Sequence, residues 1–177
     1  MKSKQNIKIL LEKTIHALNN DEPCILPTDT FYALSVRANS SLAVKRLFEI
    51  KKRDLNKPVP ILISSLNDIS NYCDTSSEIL QKLANKFWPG PLTIVLPLQG
   101  GIPKEINNDS GFLGVRVPDH SFAVDLIKDL GQPITGTSAN ISNFPPSKDI
   151  NEIKSTFGSN ISNYVDIPCG KETLSST

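Results

Sequence analysis

Ile7, Leu10, Leu11, Ile15 and Leu18 recur at the spacing of one helix face, and Asn19-Asn20-Asp21 closes that amphipathic run. The apolar stretch from Cys24 to Leu26 then reads as a short strand. Ala43, Leu47 and Ile50 share a face and predict a helix from about Leu42 to Lys51, with Ser40 or Ser41 as its N-cap. Pro60 to Ile63 reads as a buried strand. Further along, the pattern predicts a helix over about Ser77 to Phe87, strands at Leu92 to Leu96 and Gly114 to Val117, a helix over Phe122 to Leu130 and a strand at Pro133 to Gly136. Pro145 and Pro146 open a loop, after which Asp149 caps a last helix through Phe157. This order predicts an α/β domain. Neighbouring strands without a helix between Leu92 and Val117 make its sheet a mixed parallel and antiparallel one flanked by helices. No repeat or linker divides the chain, and 177 residues fit a single domain over 1–177.

Composition narrows the class. With 38% hydrophobic and 21% charged residues the chain reads as soluble and globular. No apolar run approaches the roughly 20 residues of a membrane span, and Lys8, Glu12 and Lys13 break up what a signal peptide would keep apolar. Cys24, Cys73 and Cys169 lie far apart, which favours a reducing compartment. The expectation is a cytoplasmic protein with no membrane partner. A net charge of +1 excludes a globally basic nucleic-acid binder. It leaves room for a local patch: Lys45, Arg46, Lys51, Lys52, Arg53 and Lys57 stand against Glu49 and Asp54, a balance of +4.

Common nucleotide and metal motifs are missing. The sequence has neither G-x-x-x-x-G-K-[ST] nor G-x-G-x-x-G. His16 and His120 have no second His or Cys at ligand spacing, so no protein-bound metal is expected.

Four segments carry chemistry, each open to a plainer reading. Leu26-Pro27-Thr28-Asp29-Thr30-Phe31-Tyr32 follows a strand and offers hydroxyls, a carboxylate and a phenol that can orient a small polar substrate, or else a turn closed by its own side chains. Lys51-Lys52-Arg53 ends a helix; Lys51 and Arg53 converge on an anion if the helix has unwound there, or they only complement its dipole. Arg116, inside Gly114-Val115-Arg116-Val117-Pro118-Asp119, is either a paired core cation or an anion holder facing a cleft. Gly136-Thr137-Ser138-Ala139-Asn140-Ile141-Ser142 can cradle a phosphate with hydroxyls, an amide and open backbone N–H groups, or form a local turn.

Pro-Thr-Asp-Thr, Lys-x-Arg, Val-Arg-Val-Pro and Thr-Ser-Ala-Asn, in this order and joined by Phe87-Trp88-Pro89-Gly90-Pro91-Leu92-Thr93, resemble the YrdC-like threonylcarbamoyl-AMP synthases over roughly residues 7–177. The resemblance implies a twisted α/β domain around a deep, positively lined cavity. It implies a nucleotidyltransferase that condenses L-threonine, bicarbonate and ATP, with Mg2+, to threonylcarbamoyl-AMP and pyrophosphate. That adenylate would pass to a threonylcarbamoyl transferase complex for tRNA modification. By position, Lys51 and Arg53 would be catalytic and bind the phosphates and carbamate; Thr28 and Arg116 would hold threonine, with Tyr32 and Ser176 as further substrate contacts, and Ser138 and Asn140 would line the nucleotide side. The chain departs from the pattern at Ala33, where Gly is usual and a tighter turn is expected, at Asp54 in place of Pro, and at Leu62 where many members have His. Ser175-Ser176-Thr177 resembles the start of a segment that continues in the family through a strand closing over the nucleotide, so the closing segment reads as short or missing.

Three alternatives remain: a non-catalytic tRNA or double-stranded RNA binding module using the Lys45–Lys57 patch, a different carbamoyl transfer such as that of the much larger hydrogenase-maturation carbamoyltransferases, and a degenerate homologue kept for partner binding.

Overall fold

The computed structural model describes residues 4–171 and residue 176. In chain order the elements are α1 (Lys4–Asn19), β1 (Cys24–Leu26), β2 (Ala33–Ser35), α2 (Ser41–Lys51), β3 (Ile61–Leu62), α3 (Glu78–Phe87), β4 (Ile94–Pro97), α4 (Lys104–Asn107), β5 (Phe112–Arg116), α5 (Ser121–Leu130), β6 (Ile134–Thr135), β7 (Thr137–Ser138), α6 (Ile150–Phe157) and β8 (Asn163–Tyr164).

The helices start where side chains can satisfy their free N–H groups. Ser40 Oγ accepts from Ala43 N at 3.2 Å, Ser77 Oγ from Leu80 N at 3.5 Å, and Asp149 Oδ1 from Asn151 N at 2.7 Å. α5 stops at Gly131, whose φ of 68° closes its last carbonyls in a left-handed cap. α2 stops the same way without a glycine, since Lys52 takes φ 50° and ψ 44°.

Two four-stranded sheets replace the one that periodicity predicts: β7-β2-β1-β8 and β4-β5-β3-β6. Both are mixed. In the first, β1–β2 and β2–β7 are antiparallel and β1–β8 parallel; in the second, β3–β5 is parallel, while β3–β6 and β4–β5 are antiparallel. β2, β7 and β8 escape sequence reading because their residues, Ala-Leu-Ser, Thr-Ser and Asn-Tyr, do not form an apolar run, whereas the equally short β1, β3 and β6 lie in one. Ala33 lies in β2, opposite Leu26 and Ser138, so the expected tightening of a turn there does not occur.

The stretch read as one strand from Pro133 to Gly136 divides. β6 joins the second sheet and β7 the first, with Gly136 as the step between them. A Cβ on Gly136 would lie 2.7 Å from Leu62 Cδ2, so the step tolerates no side chain without moving Leu62. The two sheets are tied beside this step. Ser35 Oγ donates to Thr135 O at 2.8 Å, Thr135 N to Val36 O at 2.9 Å, and Val36 N to Thr135 Oγ1 at 3.1 Å.

Ala17 and Leu18 of α1 and Leu126 and Ile127 of α5 cluster with Leu26, Leu62, Ile134 and Val165. Leu47 and Phe48 of α2 and Ile153 and Phe157 of α6 belong to a larger cluster with Ile25, Leu34, Ile61 and Val115. The sheets are thus covered by apolar helix faces, and their strand ends are left for polar chemistry. No helix among the described residues is long and apolar enough to cross a membrane.

α1 is also held by a buried polar chain. Asn163 Nδ2 donates to Thr14 Oγ1 at 2.7 Å, and that hydroxyl donates to Leu10 O at 2.6 Å. Replacing Thr14 by Val leaves the buried Asn163 amide without its acceptor. We expect a loss of about 1–3 kcal/mol in urea unfolding, with Thr14→Ser retaining most of it.

Candidate functional site

β1 and β5 end near each other and deliver a carboxylate and a guanidinium to one place. Arg116 closes β5, and Asp29 lies three residues beyond β1. Arg116 Nη2 donates to Asp29 Oδ1 at 2.5 Å and Nε to Gly90 O at 2.9 Å, with both side chains almost fully buried. Arg116 is therefore a paired core cation. It also lines a small polar cleft of about 130 Å³, so its pairing does not keep it from facing a cleft. Its Nη1 has no protein partner among the described residues.

Thr28, Thr30, Tyr32, Ser138 and Ser176 line the same cleft, together with Leu62, Ala33 and Gly136. Five of the sequence-predicted residues thus meet there: Thr28, Tyr32, Arg116, Ser138 and Ser176. Ser175 and Thr177, the neighbours singled out with Ser176, lie outside the described residues. Thr28 is held rigidly, since its hydroxyl donates to Phe31 O at 2.7 Å and accepts from Thr30 N at 3.2 Å. The turn closed by its own side chains is thus also a wall of the cleft. The Tyr32 hydroxyl donates to Ile167 O at 2.8 Å, and burial, reinforced by Cys169, Asp166 and Asp149, pushes its pKa up to about 12. It is a hydrogen-bonding phenol at neutral pH.

Gly90 and Gly170 belong to this site although sequence reasoning gave neither a role. Gly90 supplies the carbonyl for Arg116, and its own N–H donates to Val117 O at 2.9 Å. Gly170 lies so close to Asp29 that a Cβ would come within 2.5 Å of the Asp29 carbonyl oxygen, and its N–H donates to Thr28 O at 2.8 Å. The signal for Gly90 was its place in Phe-Trp-Pro-Gly; Gly170 had none. Asp29 Oδ2 is buried without a hydrogen-bond partner among the described residues.

Lys51 and Arg53 part company. The left-handed turn at Lys52 unwinds the helix as their convergence requires. Lys51, however, is 1% exposed and turns inward. Its ammonium donates to Ser138 O at 2.6 Å, Asn140 O at 2.8 Å and Asn140 Oδ1 at 3.0 Å. Burial and the nearby Arg53 charge push its pKa down to about 7, while the three oxygens act in the opposite direction, because only the ammonium has three hydrogens to give. Arg53 folds back on its own loop, donating to Lys57 O at 3.1 Å and Pro58 O at 2.8 Å.

Arg53 borders a second, larger groove of about 810 Å³ along α2 and α4. There Lys45, Lys52, Arg53 and Lys104 alternate with Glu49, Glu105 and Asp109, and Lys45 pairs with Glu105 at 3.2 Å. The positive balance read from Lys45 to Lys57 is thus interleaved with acids, Glu105 and Asp109 being brought alongside by α4 and the turn after it. Asp54 accepts from Asn56 N at 2.9 Å and forms a turn at the position where Pro was expected.

Asn140 Oδ1 accepts from Ser138 Oγ at 2.6 Å as well as from Lys51, and Asn140 Nδ2 donates to Phe144 O. The N–H groups of Ala139, Asn140 and Ser142 already have acceptors in Tyr32 O, Ser138 O and Lys51 O. The expected cradle of open N–H groups is therefore mostly closed, and the loop's offering to a ligand is side-chain oxygen. Among the described residues no group of three or more His, Cys, Asp or Glu is arranged to hold a metal.

Comparison with known proteins places this arrangement. A model of the Sua5/YciO/YrdC family, described as telomere recombination, matches residues 16–177. A putative threonylcarbamoyl-AMP synthase of Methanocaldococcus jannaschii is 34% identical over 171 residues, covering 96% of this chain and 79% of that protein. The threonylcarbamoyl-AMP synthase of Escherichia coli is 30% identical over 146 residues, 81% of this chain and 77% of that one. The crystal structure of Pyrococcus abyssi Sua5 complexed with L-threonine superposes with a TM-score of 0.88 at 32% identity; it covers 99% of this chain, which spans only 50% of that larger protein.

Asp29 is the sole side-chain anion paired with the Arg116 guanidinium among the described residues. Removing it in Asp29→Ala strands a buried cation, and we expect a loss of about 3–5 kcal/mol in denaturant unfolding. Adding Arg116→Met to that variant should restore part of the loss.

Proposed function

Because this chain belongs to the Sua5/YciO/YrdC family, we propose that it condenses L-threonine, bicarbonate and ATP to threonylcarbamoyl-AMP and pyrophosphate. The observation that carries the reading is the meeting of Thr28, Tyr32, Arg116, Ser138 and Ser176 in one small polar cleft. A cleft of about 130 Å³ with a guanidinium and several hydroxyls suits a compact polar amino acid. The relative from Pyrococcus abyssi, solved with L-threonine, supports that assignment.

In this reading Arg116 holds the threonine carboxylate, its guanidinium fixed by Asp29 and Gly90 so that little freedom is lost on binding. The amine of threonine and bicarbonate give a carbamate with loss of water. A carbamate oxygen then forms the new bond to the α-phosphorus of ATP, and the bond to the bridging oxygen breaks as pyrophosphate leaves. Both reactants are anions, so the step depends on cations placed to offset their repulsion in the transition state. Mg2+ arrives on the triphosphate and supplies part of that charge. Arg53 supplies the protein's share from the rim of the larger groove. Lys51, Ser138 and Asn140 are joined by hydrogen bonds at the end of β7, where Ser138 lines the cleft. The adenylate then serves tRNA threonylcarbamoylation in the cytoplasm through a transferase partner. The interleaved acids of the larger groove give the RNA-binding alternative no support.

Pyrophosphate release from Mg-ATP, with threonine and bicarbonate each present or omitted, tests the reading: release should require both, and release indifferent to threonine would overturn it. Arg53→Ala should lower turnover by about 10²-fold or more, the usual effect of removing a transition-state charge stabiliser; a variant with wild-type rates would remove Arg53 from the mechanism.

A further inference from the structure

Lys51 is the last residue of α2 and one of the largest fully buried side chains. Its ammonium has three hydrogens, and three protein oxygens take them: Ser138 O, Asn140 O and Asn140 Oδ1. The backbone carbonyl of Lys51 joins in, accepting from Ser142 N at 2.9 Å. Lys51 therefore grips the loop after β7 with both its side chain and its main chain. That loop reaches the cleft through Ser138, and its Ala139 N–H donates to the carbonyl of Tyr32, another cleft residue. Lys51 itself lines neither the cleft nor the groove, whereas Arg53 borders the groove. To reach a phosphate, Lys51 would have to abandon three acceptors in a buried place and leave their desolvation uncompensated.

We propose that Lys51 is a positioning residue, which fixes the Ser138–Asn140 loop against the amino-acid cleft, and that Arg53 alone of the Lys-x-Arg pair meets the triphosphate. The proposal rests on the synthase reading above and refines the role which the resemblance gives Lys51. It separates two effects that a plain loss of activity would merge. A phosphate ligand acts on nucleotide affinity. A loop clamp acts on the cleft that the loop borders, and on the mobility of the loop itself.

The test uses the whole 177-residue chain. Calorimetric titrations with L-threonine, and separately with a non-hydrolysable ATP analogue and Mg2+, are run on the wild type, Lys51→Met, Asn140→Ala and Arg53→Gln. Amide hydrogen exchange is followed over residues 137–142. Lys51→Met should weaken threonine binding about tenfold or more, keep nucleotide affinity within about threefold, and speed exchange in the loop about tenfold or more, as expected for lost buried hydrogen bonds. Arg53→Gln should show the reverse, with nucleotide affinity lost and loop exchange unchanged. Asn140→Ala, which removes one acceptor and leaves Lys51 in place, should follow Lys51→Met and decides the matter if that variant fails to fold. The proposal is overturned if Lys51→Met, or Asn140→Ala in its stead, lowers nucleotide affinity as much as Arg53→Gln while threonine binding and loop exchange stay at wild-type values. Should the wild type bind neither ligand, the synthase reading fails on its own; loop exchange then still judges the clamp, and an unchanged rate in Lys51→Met or Asn140→Ala overturns it.

Discussion

A guanidinium taken out of water must be surrounded by oxygen, and much of this protein's polar architecture answers that demand at Arg116. Asp29 comes from the turn after β1 in one sheet, and Arg116 from the end of β5 in the other, so their pairing joins the sheets where the cleft opens. Such a pair gives little net stability over a well-packed apolar alternative, because the cost of desolvating both charges is comparable with their attraction. What it supplies is geometry. Gly90 must present its carbonyl to Nε, which sets the path of Trp88-Pro89-Gly90, and Gly170 must lie flat on the Asp29 backbone.

The same logic applies to Lys51, on the other side of Ser138. Its ammonium is also wrapped in protein oxygen, but by the backbone and amide oxygens of a loop and without a carboxylate. One cation is therefore neutralised and the other only solvated by dipoles. Beside Arg116 the cleft carries the hydroxyls of Thr28, Thr30 and Ser138, whose oxygens are held by hydrogen bonds within their own turns. The site is built in advance of any ligand, and so binding loses little side-chain freedom. The cation with the most room to meet a large anion is Arg53, because its present acceptors are carbonyls on an exposed loop.

Very short strands make this convergence workable. β3, β6, β7 and β8 are two residues each, so the chain leaves a sheet soon after entering it. At Gly136 it passes from one sheet to the other within a single residue, bringing Thr137 and Ser138 beside Leu62 and Arg116. Leu62 gives the cleft an apolar wall, packed so closely that Gly136 can bear no side chain without displacing it.

What the sequence determined by itself is whatever depends on near neighbours. Helices α1, α2, α3, α5 and α6 were legible in spacings such as that of Ala43, Leu47 and Ile50, and three of their starts in Ser40, Ser77 and Asp149, because a helix satisfies its own hydrogen bonds within a few residues; the single turn of α4 was not read. The four polar segments were legible as candidates, each following an apolar run. Tertiary structure alone decided how they meet. Arg116 finds Asp29 at a separation of 87 residues, and Lys51 finds Ser138 and Asn140 at 87 and 89. Neither partner leaves a mark near the cation in the chain. Nor could periodicity show that one sheet would become two, since strands of two or three residues, buried on both faces, contain too few positions for a period to exist. A buried charge is solvated by whatever oxygen folding brings to it, and that choice is made by strand pairing rather than by local sequence.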